Sequence, residues 1–437
     1  MRRTVIHTLG CSKNLVDSEY LGGALRASGW QVSYEATTQP GDVLILNTCG
    51  FIGDAKEESI DHILRAAALR AAGHLDKLVV FGCLSQRYPS ELAAEIPEVD
   101  HWFGARDLAP LLRLFRCAPD LTLGQPRYTS TPSHYAFLKI AEGCDRQCAF
   151  CAIPAIRGSF RSFPHQALVA EAQALAQQGV RELILIAQEL TYYGHDRGDA
   201  TALVTLLQAL ARIEGIEWIR LHYAYPRPFP EELIEWLATE PKACPYLDIP
   251  LQHIAEPVLQ AMRRHHTGAY ARELVDRLRA SIPRLALRTT LIAGFPNETE
   301  DDFRELLDFV QHVQFDHLGV FTYSEEEGTH AAKHWPDAIP EEVKQARRDA
   351  LMQAQMPISA ARKAQHVGSV LPVILDARVD ASTFTGRTQF DSPDVDGEVL
   401  VRDPSHALEV GQIARVRITG SDEYDLEAIY PPVEPRA

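Results

Sequence analysis

The strongest constraint on the fold is a repeated alternation. Between about 135 and 330, six short apolar, β-branched runs recur: "AFLKIAE" (136–142), "ELILIAQE" (182–189), "WIRLHYAY" (218–225), "LDIPLQH" (247–253), "LRTTLIAGF" (287–295) and "HLGVFTYS" (317–324). Most segments between them have helical period, for example "LVAEAQALAQQ" and "EDDFRELLDFVQHV". Strands that alternate with helices form a parallel sheet, because each helix carries the chain back to the edge where the next strand starts. Six such units suit an incomplete barrel, with chemistry at the carboxyl ends of its strands.

The same alternation marks the first 118 residues. "TVIHTLG" (4–10), "DVLILNT" (42–48) and "KLVVFG" (77–82) read as strands, followed by the helical patterns "NLVDSEYLGGALRAS", "AKEESIDHILRAAALRAA" and "PSELAAEI". "CAPDLTLGQPRYTSTPSH" (117–134) reads as a linker. A helix over 340–355 is expected to break at Pro357. Beyond about 365, short β-rich runs between Gly, Pro and Asp turns predict a small all-β barrel. The expected architecture is α/β: an N-terminal parallel-sheet domain (1–118), a linker (119–134), a partial (βα)6 core with a trailing helix (135–364) and a terminal β-barrel (365–437).

Two arginines and a cysteine in "MRRTVIHTLGC" loosely resemble an export signal, but the apolar stretch between them is too short and is interrupted by His7. No run of about 18 apolar residues predicts a membrane span. Eight cysteines in 437 residues are too sparse for a disulfide-stapled scaffold. The chain is expected to be cytoplasmic, where clustered cysteines point to metal or redox chemistry.

"EGCDRQCAFC" (142–151) places Cys144, Cys148 and Cys151 in C-x3-C-x2-C spacing just past a predicted strand. Thiolates hold iron–sulfur clusters or zinc. A closed zinc site would need a fourth ligand, for which His134 and His165 are available, and a reactive thiol cluster is the third reading. Three thiolates can instead grip three irons of a 4Fe–4S cube and leave the fourth open. At a barrel mouth, with Phe150 before the last cysteine, this motif resembles the radical S-adenosylmethionine enzymes. The resemblance implies that the open iron chelates the methionine part of S-adenosyl-L-methionine, and that an electron from the cluster releases a 5′-deoxyadenosyl radical. It also implies cofactor contacts from Gln188 and Glu189 after the second strand, and from Gly294 and Glu298 after the fifth. Gly294 could equally be a turn residue, and Glu298 a cap for the helix over 300–313.

Cys11, Cys49 and Cys83 each follow one of the three N-terminal strands, in "TLGC", "NTCG" and "FGC". Open α/β sheets gather ligands beyond the carboxyl ends of their strands, so three distant thiols are expected to meet there as a second open cluster. Cys117 and Cys244, the latter expected ahead of a strand, read as free structural thiols. With "TLGCSKNLVDSE" (8–19), "NTCGFIGDAKEES" (47–59), "GCLSQRY" (82–88), "CAIPAIRGSFRS" (151–162) and "LDIPLQHI" (247–254), the chain resembles the radical S-adenosylmethionine methylthiotransferases along nearly its whole length. The resemblance implies two 4Fe–4S clusters, with the N-terminal one carrying the inserted sulfur, and a terminal TRAM barrel that handles the macromolecular substrate.

One branch of that family modifies an adenosine of transfer RNA. The other adds a methylthio group to the β-carbon of an aspartate on the twelfth small-subunit ribosomal protein. Residues 365–437 carry six arginines and no lysine against thirteen acids, within a chain of net charge −16. Such a module is expected to repel RNA phosphate and attract a basic ribosomal protein, with "DSPDVDGE" (391–398) and "SDEYDLE" (421–427) as its acidic surface. "TLGCSKNLVDSE" also resembles the protein-modifying branch. An electron-donor protein is a further expected partner. A non-catalytic, zinc-bound ribosome adaptor is the reading from another class.

Overall fold

The computed structural model describes residues 2–34, 37–117 and 127–431. Half of the expected linker, 119–126 of 119–134, falls outside them. In the N-terminal domain β1 (Arg3–Thr8), β2 (Gln31–Ser33), β3 (Asp42–Thr48), β4 (Leu75–Gly82) and β5 (His101–Gly104) form a parallel sheet in the order β2-β1-β3-β4-β5. Alternating side chains feed two cores. Val5, Leu44, Leu46, Leu78 and Val80 pack under α2 (Gly53–Ala71), and Ile6, Ile45, Val79 and Phe81 pack under α1 (Ser12–Ala27). Both faces are covered, which is why "DVLILNT" is an unbroken buried run. α3 (Cys83–Arg87), α4 (Pro89–Glu95) and α5 (Leu108–Leu114) complete this domain.

The central domain holds β6 (Tyr135–Lys139), a short antiparallel pair β7 (Ala141–Glu142) and β8 (Arg161–Ser162), then β9 (Glu182–Ile186), β10 (Trp218–Leu221), β11 (Ala243–Asp248), β12 (Ala286–Ala293) and β13 (His317–Thr322). Its six-stranded parallel sheet runs β13-β12-β11-β10-β9-β6 in strict sequence order and stays open between β6 and β13. Leu138, Leu183, Leu185 and Leu221 face the outer helices. Tyr135, Phe137, Ile184 and Ile186 face inward, against Leu15, Val16 and Tyr20 of α1. One N-terminal helix therefore lines both its own sheet and the inner wall of the neighbouring domain.

The terminal barrel is closed, in the order β14 (Val370–Arg378), β15 (Thr383–Thr388), β16 (Val399–Arg402), β18 (Leu426–Ile429) and β17 (Ile413–Ser421). Its core is continuous with Trp218, Cys244, Tyr246 and Ala286, which lie at the starts of the central strands or one turn of pleat inside them. The barrel thus caps the amino ends of the central sheet, opposite the end where α1 enters.

Three expectations need correction. The helix over 340–355 does not break at Pro357 but runs from Glu341 to Ala364. Pro357 faces solvent, while Leu351, Gln355, Ile358 and Ser359 are buried, so packing of that face outweighs one lost hydrogen bond. Cys244 lies inside β11 rather than ahead of it. Finally, "DSPDVDGE" is not an acidic surface. Asp391 pairs with Lys363 and accepts the Thr388 hydroxyl; Asp396 accepts from Arg288 Nη1 at 2.5 Å and from Tyr246 Oη at 2.8 Å. The segment docks the barrel on the core, and only Asp394 and Glu398 among its acids remain exposed.

Candidate functional site

The N-terminal thiols share the edge where three strands end. Cys11 precedes α1, Cys49 follows β3 and Cys83 opens α3. Asn14 organises this edge. Its Nδ2 donates to Leu9 O (2.9 Å) beyond β1 and to Thr48 O (3.2 Å) on β3, while its Oδ1 accepts from Cys83 Sγ (3.6 Å). Two glycines permit the approach. A Cβ on Gly10, whose φ is +87°, would lie 2.9 Å from Cys49 Sγ, and one on Gly50 would lie 2.7 Å from the Leu84 backbone. Burial pushes the Cys83 thiol up to about 12 against the pull of Arg157, and burial also raises Cys49. As bare thiols these groups hold their protons; iron would remove them, because metal ligands bind as thiolates.

The second trio lies on the loop after β7. Cys144 N–H donates to Gly158 O (3.1 Å) and Ala149 N–H to Met262 O (2.9 Å), which anchor the loop at two points, and Cys151 N–H donates to Cys148 O (3.1 Å) within it. Arg264 Nη1 lies 3.4 Å from Cys148 Sγ and Nη2 donates to Pro250 O at 2.6 Å. Tyr225 is flanked by the guanidinium groups of Arg146 and Arg264, at 4.2 and 4.4 Å from its ring centre. All three thiols line one open cavity of about 430 Å³, together with Arg87, Arg263 and His330. Burial pushes Cys144 up to about 12 and raises Cys151 further.

Donor chemistry fits iron–sulfur groups better than zinc. His134, a possible fourth ligand, binds Asp376 Oδ1 of the terminal barrel at 2.7 Å, and His165 opens the helix His165–Gln177.

The four residues expected to contact a cofactor divide into two pairs. Glu189 makes a bidentate pair with Arg146 of the thiol loop, at 2.6 and 2.6 Å. Gln188 donates to Glu142 at 3.0 Å, and its buried Oε1 has no partner. These two stand at the thiol loop. Gly294 and Glu298 close on each other instead: Gly294 N–H donates to Glu298 Oε2 (2.8 Å), whose other oxygen accepts from Arg347 (2.8 Å). Glu298 does not cap the next helix, since Thr299 and Asp302 form its capping box.

A buried ionic junction joins the two trios. Arg157 ends α6 (Ile153–Arg157), which starts two residues after Cys151. It donates to Asp17 Oδ2 (2.6 Å) and to Asn14 Oδ1, next to Cys83. Lys139 bridges Asp17 and Glu142, the latter at 2.9 Å. Burial works against ionised Glu142, but Lys139 and Arg157 outweigh it and hold the carboxyl at about 2. Sequence reasoning found none of Asn14, Asp17, Lys139 and Arg157 as site residues. Asn14, Asp17 and Arg157 stand inside quoted motif blocks, yet their partners are distant in sequence.

Comparison with known proteins agrees with this anatomy. Residues 3–104 match the family described as "Uncharacterized protein family UPF0004", 138–310 the Radical SAM superfamily and 367–430 the TRAM domain. The ribosomal protein uS12 methylthiotransferase RimO of Flavobacterium johnsoniae is 50% identical over 420 residues, 96% of each chain. The chain belongs to the RimO family. RimO proteins of Bacteroides fragilis (49% identity; 97% of this chain and 98% of the relative) and Porphyromonas gingivalis (46%; 98% of each) are similar over the same span. Among solved structures, the radical S-adenosylmethionine methyltransferase TsrM of Kitasatospora setae shares the fold, with TM-score 0.56 at 15% identity over 94% of this chain and 80% of that one. The RimO-family fold places the two thiol trios on facing domains, with α1 and α6 between them. Among the described residues no helix is long and apolar enough to cross a membrane.

Proposed function

We propose that the chain is a radical S-adenosylmethionine methylthiotransferase that adds a methylthio group to the β-carbon of an aspartate on ribosomal protein uS12. Cys144, Cys148 and Cys151 would hold one 4Fe–4S cluster and Cys11, Cys49 and Cys83 a second, with S-adenosyl-L-methionine at the first. When bound, these groups supply radical hydrogen abstraction and sulfur transfer. The chain's own residues position them. Arg264 orients Cys148 and lends positive charge to its sulfur. Arg146 and Glu189 fix the loop between Cys144 and Cys148. Gln188 offers an unpartnered carbonyl oxygen beside that loop, and Gly294 with Glu298 shapes the turn after β12. Asn14 and Arg157 hold the N-terminal edge in register with the barrel mouth. The facing of two under-ligated thiol trios across one buried junction carries this reading.

The partner is proposed to be basic. Asp422, Glu423, Asp425 and Glu427 are exposed beside Asp394 and Glu398, which leaves an acidic face that opposes RNA phosphate. An electron-donor protein and a cytoplasmic setting belong to the same proposal, as do domain limits at 118, 134 and 364. The test is mass spectrometry of uS12 from a deletion strain: the aspartate should lose its methylthio group, and retention of the modification would defeat the assignment.

A further inference from the structure

A lysine without a carboxylate partner faces the inner wall of the central barrel. Lys13, two residues after Cys11 on α1, is 7% exposed. Its ammonium lies 3.0 Å from the centre of the Tyr223 ring. Among the described residues no acid pairs with it. Buried ammonium groups are normally paired, and a ring face replaces only part of the lost hydration. The arrangement is held from both sides. Tyr223 has φ of +62°, a left-handed conformation unusual for an aromatic residue. Its carbonyl accepts from Leu190 N–H (3.0 Å), the residue after Glu189, and its N–H donates to Asp248 Oδ2 (3.2 Å). The other Asp248 oxygen is buried with no hydrogen-bond partner. Burial raises the Asp248 carboxyl, with Arg288 first and Lys13 last among the cations pulling the other way.

The site therefore presents an unpaired cation and, one residue contact away, an unpaired acceptor. A ligand that satisfies both carries a carboxylate and an N–H donor. An aspartyl residue within a peptide has this chemistry: a side-chain carboxylate and a backbone amide. So has the methionine part of S-adenosylmethionine, with its carboxylate and ammonium. The cation's place favours the peptide: Lys13 is on the helix that begins at Cys11, on the side proposed to supply sulfur, while Tyr223 and Asp248 belong to the domain of the cofactor trio, so the site bridges the two.

We propose that Lys13, seated on Tyr223, is the recognition residue for the carboxylate of the target aspartate, with Asp248 receiving a backbone N–H of the same segment. This rests on the methylthiotransferase reading and deepens it. A lysine kept unpaired for a substrate also destabilises the free protein, as function-bearing residues often do.

Binding to the anaerobically reconstituted holoenzyme tests it, by anisotropy of a fluorescein-labelled uS12 peptide with the target aspartate and of the same peptide with asparagine there. The wild type should prefer the aspartate peptide by about tenfold or more. Lys13→Met and Lys13→Gln should bind both peptides alike, and Lys13→Arg should keep the preference. Lys13→Met should unfold no earlier than the wild type. The proposal is overturned if Lys13→Met or Lys13→Gln keeps the preference. It is also overturned if these variants lose binding of S-adenosylmethionine, measured by equilibrium dialysis, with the preference intact; that result assigns the cation to the cofactor. A wild type that binds both peptides equally overturns this proposal alone. A wild type that binds neither defeats the uS12 reading, and this proposal with it.

Discussion

At the scale of single residues, the two thiol trios are proposed to have different duties, and variants should separate them. Cys148→Ala should abolish cleavage of S-adenosylmethionine, because two thiolates cannot keep an open iron in place. Cys49→Ala should spare cleavage and stop methylthio transfer. Equal loss of cleavage in both, measured as 5′-deoxyadenosine release, would contradict the division. Arg157 is the second point. It is buried with Asp17 and Glu142, so Arg157→Leu strands carboxylates away from water and should cost about 3–5 kcal/mol. Chemical unfolding should show a lowered midpoint, and Asp17→Asn combined with Arg157→Leu should lose less than the two changes added together. The places of the cysteines past the strand ends were legible in the sequence because spacing and topological position are local facts. Arg157 was not, because its main partner is 140 positions away.

Among elements, α1 does the most. Its N-terminal end brings Cys11 and Asn14 to the sheet edge, and Leu15, Val16 and Tyr20 close over the inner wall of β6 and β9. The turn before it is tight. Gly10→Ala would press a methyl group onto Cys49 and force a left-handed backbone on alanine. Iron in the reconstituted protein should fall from about eight atoms to about four per chain, with cofactor cleavage retained; unchanged iron would show that the turn has slack. Long apolar strands such as β3, β4, β9 and β12 were readable from composition. β2 and β5 were not, having three and four residues, nor were β15 and β18 as separate strands of the terminal barrel. The misread at Pro357 has the opposite cause: a true local preference for a break was overruled by burial on the other side of the helix.

For the whole molecule, the central sheet is stoppered at both ends. α1 enters at the carboxyl ends of the strands, and residues 388–396 of the terminal barrel close the amino ends through Arg220, Arg288 and His317. Burial works against ionised Asp391, yet Lys363 and His317 outweigh it and hold the carboxyl at about 2, below its ordinary 3.8. Such a group contributes stability above its unfolded value and loses it as pH falls through the folded one. The barrel's grip should be full above about pH 4 and fade towards pH 2. Fluorescence of Trp218, buried in that interface, should report the release, and Asp391→Asn should remove this pH dependence. The net acidity of the terminal module was visible in the sequence. Its partition between dock and surface was not, because composition does not say which carboxylates find a cation inside.

The shared helix also bears on how such chains can be recombined. A chimera that grafts the first domain of one relative onto the core of another inherits a foreign lining for two of the six central strands. Even with every cysteine intact, its seam would run through the sealed wall between the two workshops. Productive crossovers must therefore exchange α1 together with the surface it covers on β6 and β9, or fall beyond the central domain altogether.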